Sequence, residues 1–234
     1  MSFLDSARAA SLTLRIIVPT LTDSARGTLS EQATDQRLSW WSRRMLDDAG
    51  AELTVVGREH LPAKEPLVMM SNHRSYYDIP VVFQAAPGSV RMVGKKELFR
   101  VPLFGPAMRA AGFIEVNRQH QEAARASLKR SQELIARGLR VWIAPEGTRT
   151  KTGKLGPFKA GGFHLALDSN VRILPIAIEG TERVLSADSF EVQKGAKLKA
   201  TILPPVDAPS YGHARRKELM ADVRNAIAKA LGEG

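Results

Sequence analysis

The 234-residue chain contains no cysteine, which removes disulfide scaffolding, thiolate zinc sites and a cysteine nucleophile together. It also lacks any apolar run near the roughly 20 residues that a membrane-spanning helix needs. The best candidate, Leu12 to Leu21, is short and carries Arg15 and Pro19. The opening decapeptide, MSFLDSARAA, has an early acidic residue and no small-residue cleavage site, so neither export nor a spanning segment is expected. Neither a G-x-G-x-x-G nor a P-loop pattern occurs, which leaves nucleotide binding by those routes unsupported. With five histidines, no cysteine and no dense histidine–carboxylate cluster, no metal or cofactor is expected.

What is present is a basic surplus. There are 34 lysines and arginines against 24 acidic residues, a net charge of +10. Such a surplus fits an anionic partner: nucleic acid, a membrane surface or a phosphate-bearing substrate. A nucleic-acid binder would cluster its basic residues with stacking aromatics, whereas here they are dispersed and aromatics make up 6%.

Residues 1–50 read as a separate unit. Phe3, Leu4, Ala7, Leu14, Ile17 and Val18 recur at helical spacing until Pro19, which is expected to stop the run. After a polar stretch, Leu38, Trp41, Met45, Leu46 and Ala49 share one side of a second segment that ends near Gly50. Two helices are therefore expected. Trp40-Trp41 followed by Arg43-Arg44 suits a membrane interface, but equally suits tryptophans that pack the helices onto the rest of the chain.

From residue 51 to residue 234, apolar runs alternate with helical patterns. Strands are predicted at Leu53–Val56, Leu67–Ser71, Val90–Val93, Phe113–Val116, Val141–Ala144, Ile173–Ile178 and Leu198–Leu203. Helices are predicted at Ile79–Ala86, Gln119–Arg137, Gly161–Asp168 and about His213–Leu231. That alternation indicates an α/β domain with a mostly parallel central sheet flanked by helices. Chemistry in such sheets gathers beyond the carboxyl ends of the strands.

Three segments fall there. In SNHRSYYD, His73 follows an apolar strand and Asp78 lies five residues on. A carboxylate on one ring nitrogen fixes the imidazole tautomer and steadies the positive charge gained on taking a proton. Alternatively, His73 is hydrogen-bonded in a loop and Asp78 caps the next helix; taken alone, the segment favours this second reading. In APEGTRT, Gly147 permits a tight turn whose N–H groups face an anion, Arg149 can grip a phosphate, and Glu146 can steady that arginine or a substrate hydroxyl. GFIEVNR places Arg118 at a helix start, where the dipole does not favour it. Lys95 and Lys96 can add charge to the same mouth. Ser71 and Ser75 lie near His73, but neither sits in a G-x-S-x-G elbow. His164 reads as structural, and His60, His120 and His213 as exposed.

Together these segments resemble the glycerolipid acyltransferase family, specifically bacterial 1-acylglycerol-3-phosphate acyltransferases. Asn72-His73 with Asp78 resembles the family's first motif, GFIEVNR the second, Glu146-Gly147-Thr148-Arg149 the third and ILPIAI around Pro175 the fourth. GKKELFRVPLFG and PFKAGGFHLAL resemble its connecting sequences, so the likeness covers roughly residues 50 to 205.

The resemblance implies that His73 is a general base oriented by Asp78. Lysophosphatidate would be acylated from coenzyme A or acyl carrier protein without an acyl-enzyme intermediate. It further implies an acceptor site of Arg118, Glu146, Gly147, Thr148 and Arg149, assisted by Lys95, with Pro175 in an acyl tunnel wall. The N-terminal pair then becomes an element that docks on an anionic membrane, peripheral or monotopic, at the cytoplasmic face of the inner membrane. Glycerol-3-phosphate or a lyso-aminolipid remain alternative acceptors, and a thioesterase is an alternative activity.

Overall fold

The computed structural model describes residues 3–116, 121–150, 152–189 and 191–233. Seven strands form one sheet in the order β1-β7-β6-β2-β5-β3-β4. They are β1 Glu52–Val56, β2 Val68–Ser71, β3 Val90–Lys95, β4 Ile114–Val116, β5 Arg140–Ile143, β6 Ile173–Glu179 and β7 Lys197–Ile202. Every neighbouring pair is parallel except β6 with β7. The sheet is thus mostly parallel, as the alternating pattern implied.

Eight helices accompany it among the described residues: α1 Phe3–Ala25, α2 Glu31–Asp48, α3 Asp78–Ala85, α4 Phe104–Ala110, α5 Gln121–Ala136, α6 Gly161–Asp168, α7 Thr181–Val184 and α8 Arg216–Ala230. Side chains of the central strands point alternately to two cores. Met69, Trp142, Leu174, Ile176 and Ile178 meet α2, α3 and α4 on one face. Val68, Met70, Val141, Ile173 and Ala177 meet α5, α6 and α8 on the other. Burial on both faces is why the central strands read as unbroken apolar runs rather than alternating ones.

Two sequence expectations are corrected. Pro19 does not stop α1, which continues to Ala25. A proline inside a helix deletes one main-chain hydrogen bond, but this helix is held on both sides of it. Ile17 and Thr20 are buried, and Arg37 of α2 bonds Thr20 Oγ1 at 3.3 Å and also Asp23. Helix α4, which contains Gly105 and Pro106, was not expected from the sequence. Both fall in its first turn, where a missing N–H costs nothing.

The tryptophan pair is split by the helix. Trp41 turns inward and donates its indole N–H to Thr13 Oγ1 at 3.2 Å, whereas Trp40 lines an outer groove with Arg15 and Arg37. Helix α2 packs on α3, and α1 on α2 and α4. A buried ion pair adds to that joint: Asp35 of α2 accepts from Arg91 at 2.6 Å and from Ser89 at 2.5 Å. Arg43 and Arg44 remain exposed. No helix among the described residues is long and apolar enough to cross a membrane.

Candidate active site

Strand β2 lies between β5 and β6, so the loops after β2 and β5 leave the same end of the sheet side by side. They carry SNHRSYYD and PEGTRT. Asn72 locks the first loop to β6. Its side-chain amide donates to Ile178 O and accepts from Ile178 N–H, each at 2.8 Å, extending the β2–β6 ladder by one side chain.

The loop then folds back, and His73 Nδ1 lies 2.8 Å from Asp78 Oδ2. Asp78 is completely buried as the first residue of α3, yet it does not cap that helix. Its Oδ2 accepts instead from the preceding N–H groups of Arg74 (2.8 Å) and Ser75 (2.9 Å), and its Oδ1 from Thr181 Oγ1 (2.5 Å). All these partners donate, so the imidazole must present Nδ1–H to the carboxylate and keep its lone pair on Nε2. The ring stands edge-on to Trp142, 6.4 Å away between centroids.

The nearby serines are committed elsewhere. Ser71 Oγ donates to Asn72 O and accepts from Trp142 Nε1, while Ser75 Oγ donates to Leu185 O and accepts from Tyr77 N–H. Both are fully buried. Neither is placed to attack a substrate.

Glu146 is the principal departure from the sequence reading. Its oxygens accept His73 N–H at 2.7 Å and Gly156 N–H at 2.8 Å, and the side chain sits behind the cavity wall rather than in it. Burial pushes its pKa above the ordinary carboxylate value, and the two N–H bonds offset only part of that. Gly147, at φ +78°, spends its N–H on Ala144 O, and Thr150 N–H donates to His73 O. The turn therefore braces the histidine, and the Gly147 N–H does not face an anion.

His73, Lys95, Gly147, Thr148 and Arg149 line one cavity of about 460 Å³. The Arg149 guanidinium carbon lies 3.9 Å from the Tyr76 ring centroid, a cation–π contact that fixes the head group. Its buried Nη1 has no hydrogen-bond partner among the described residues. Arg118 falls outside the described residues. Pro175 lies buried within β6 opposite Met70 and outside the cavity walls.

A second, apolar chamber of about 150 Å³ lies between the N-terminal helices and the sheet, with Ile17, Leu38, Trp41 and Phe104 on its walls. Tyr76, Ile79, Met92 and Leu98 line both spaces. A polar cavity thus adjoins an apolar one.

Sequence reasoning missed Thr181, for which no local signal exists. It also missed one potential metal-ligating group, His164, Asp168 and His213, whose ligand atoms lie within 4.8 Å of one another. Burial and neighbouring Arg216 lower the His164 pKa, and the same arginine opposes a further cation. This group lies outside the walls of the His73 cavity.

The chain is similar to known proteins. The family model described as Acyltransferase matches residues 52–179. A Brassica napus chloroplastic 1-acyl-sn-glycerol-3-phosphate acyltransferase is 33% identical over 179 residues, covering 76% of this chain and 50% of its own length. The mouse 1-acyl-sn-glycerol-3-phosphate acyltransferase alpha is 30% identical over 194 residues, covering 79% of this chain and 68% of its own. The chain thus spans about half the length of the plant relative and about two thirds of the mouse one. In fold it is similar to the crystal structure of the 1-acyl-sn-glycerophosphate (LPA) acyltransferase PlsC from Thermotoga maritima, with a TM-score of 0.76 and 23% identity over 98% of this chain and 97% of that one. With its family match spanning more than half its length and a histidine held by a buried carboxylate at the sheet's carboxyl end, the chain belongs to the acyltransferase family.

Proposed function

We propose that this protein transfers a fatty acyl group from an acyl thioester to the free hydroxyl of 1-acylglycerol-3-phosphate, forming phosphatidate. The observation that carries this reading is the His73–Asp78 pair opening into the cavity that also holds Arg149. With Nδ1 committed to Asp78, Nε2 takes the proton of the acceptor hydroxyl as its oxygen attacks the thioester carbonyl carbon. The C–S bond then breaks, and the imidazolium returns that proton to the departing thiolate. The step uses no protein nucleophile, consistent with the committed hydroxyls of Ser71 and Ser75. The thioester, on coenzyme A or acyl carrier protein, is a co-substrate, and the step as written draws on no cofactor.

Arg149, held on Tyr76 with an unmet donor, is the group for the acceptor phosphate, with Lys95 and Thr148 on the same wall and Arg118 as a further candidate. The apolar chamber under α1 and α2 takes the acyl chain. Leu14 and Val18, exposed one turn apart on α1, and exposed Arg43 and Arg44 on α2 support docking on an anionic membrane surface, which this reading takes to be the cytoplasmic face of the inner membrane.

The test supplies purified protein with acyl thioester and lysophosphatidate and follows free thiol and phosphatidate together. Wild type should release thiol and form lipid in equal amounts, and His73→Ala should do neither. Thiol without lipid would identify a thioesterase. Faster transfer to glycerol-3-phosphate or a lyso-aminolipid would reassign the acceptor.

A further inference from the structure

Two glutamates bridge the same two loops, one residue apart. Glu146 joins His73 N–H to Gly156 N–H. Glu233, just past α8, joins the adjacent pair: one oxygen accepts from the Arg74 guanidinium at 2.5 Å and the other from Leu155 N–H at 2.7 Å. Arg224 of α8 closes the arrangement by donating to Leu155 O at 2.9 Å and Gly156 O at 3.3 Å. Residues 73–74 and 155–156 are thus held by groups from β5's turn on one side and from α8 on the other.

We infer that Glu233, assisted by Arg224, is a positioning residue for the His73 site, setting the spacing between the loop after β2 and the loop after β5. This inference rests on the reading of His73 as the base. Helix α8 lies beyond residues 52–179, the region the family model matches.

The geometry supports a dedicated latch rather than a chance surface pair. Gly232, at φ +72°, turns the chain at the end of α8, with Gly232 N–H on Lys229 O and Glu233 N–H on Ala228 O. That is a Schellman ending, and it aims the next side chain back across the helix end. The Arg74 side chain is mostly buried at 13% exposure, its Nε has no partner among the described residues, and its other acidic neighbour, Glu182, is 4.0 Å away. Without Glu233 the guanidinium keeps only that distant partner, and a buried Leu155 N–H loses its acceptor. The consequence reaches chemistry because Arg74 N–H is one of the donors holding Asp78. Glu233, Arg224 and Leu155 all lie outside the cavity walls, so the latch acts on the alignment of His73 and not on substrate contact.

The test compares wild type, Glu233→Gln, Arg74→Met and the double variant in the thioester assay, with His73→Ala alongside. Each single variant should lower kcat about tenfold while leaving KM for lysophosphatidate nearly unchanged, and the double variant should be no worse than either. Amide exchange over residues 73–78 and 152–156 should quicken in both single variants while the β6 core at 173–179 stays near wild type, a local pattern that general loss of stability does not give. Wild-type kcat in Glu233→Gln, a rise in KM alone, or losses that multiply in the double variant would overturn the latch. If His73→Ala stays active, the reading of the site fails instead. An inactive His73→Ala beside a fully active Glu233→Gln removes only the latch.

Discussion

Asp78 accepts from His73 Nδ1 at 2.8 Å while completely buried, and its other oxygen is held by Thr181, 103 residues further along the chain. The carboxylate is therefore fixed before the histidine uses it. Asparagine at this position can keep its carbonyl toward His73, Arg74 and Ser75 and turn its NH₂ to Thr181, whose hydroxyl can accept. Asp78→Asn thus removes charge with little change in shape. It should fold and lose about 10²- to 10⁴-fold in kcat, the range for an impaired general base. Thr181→Val, which removes one donor, should lose less; steady-state kinetics with circular dichroism checks both.

Glu146 gives a pH signature. Burial raises its folded pKa above the ordinary carboxylate value of 4.5, so between those two values the native state binds more protons than the unfolded chain. Stability therefore falls as pH rises through that window, and ionised Glu146 is carried at a cost at neutral pH. Glu146→Gln should flatten that part of the stability profile, measured by denaturant unfolding above pH 4.5. It should also lower activity at neutral pH, because glutamine puts a donor NH₂ where one of the two oxygens accepting from His73 and Gly156 stood.

The apolar chamber should measure chain length. Ala107, on its wall in α4, is buried against that space. Ala107→Phe adds volume there and should shift preference toward shorter acyl thioesters, while activity with the shortest chains is retained. Competition between thioesters of differing length checks this; an unchanged ranking removes the chamber from the acyl path.

The buried Arg91–Asp35 pair joins α2 to β3. Asp35→Ala leaves an almost fully buried guanidinium without its carboxylate and should cost about 3 kcal/mol of stability. Replacing both residues with apolar ones should recover much of that. Thermal and denaturant unfolding of the three variants decides it.

The sequence alone determined the sheet. Central strands buried on both faces must be apolar throughout, and such runs alternating with helical patterns point to a mostly parallel α/β sheet. It also put His73 and Asp78 within reach of each other, five residues apart in one loop, but left open whether they meet. Tertiary structure decided the rest. Strand β2 takes β5 and β6 as neighbours, and that order, which no local periodicity encodes, brings Thr181 to Asp78, Glu146 behind His73 and α8 across residues 155–156. It separated Trp40 from Trp41 and carried α1 past Pro19, because packing against α2 and α4 outweighs one lost main-chain hydrogen bond. Glu146 shows the division most plainly: its place in a motif was legible from the chain, but two backbone N–H groups from separate loops made it a brace for the histidine rather than a contact for substrate.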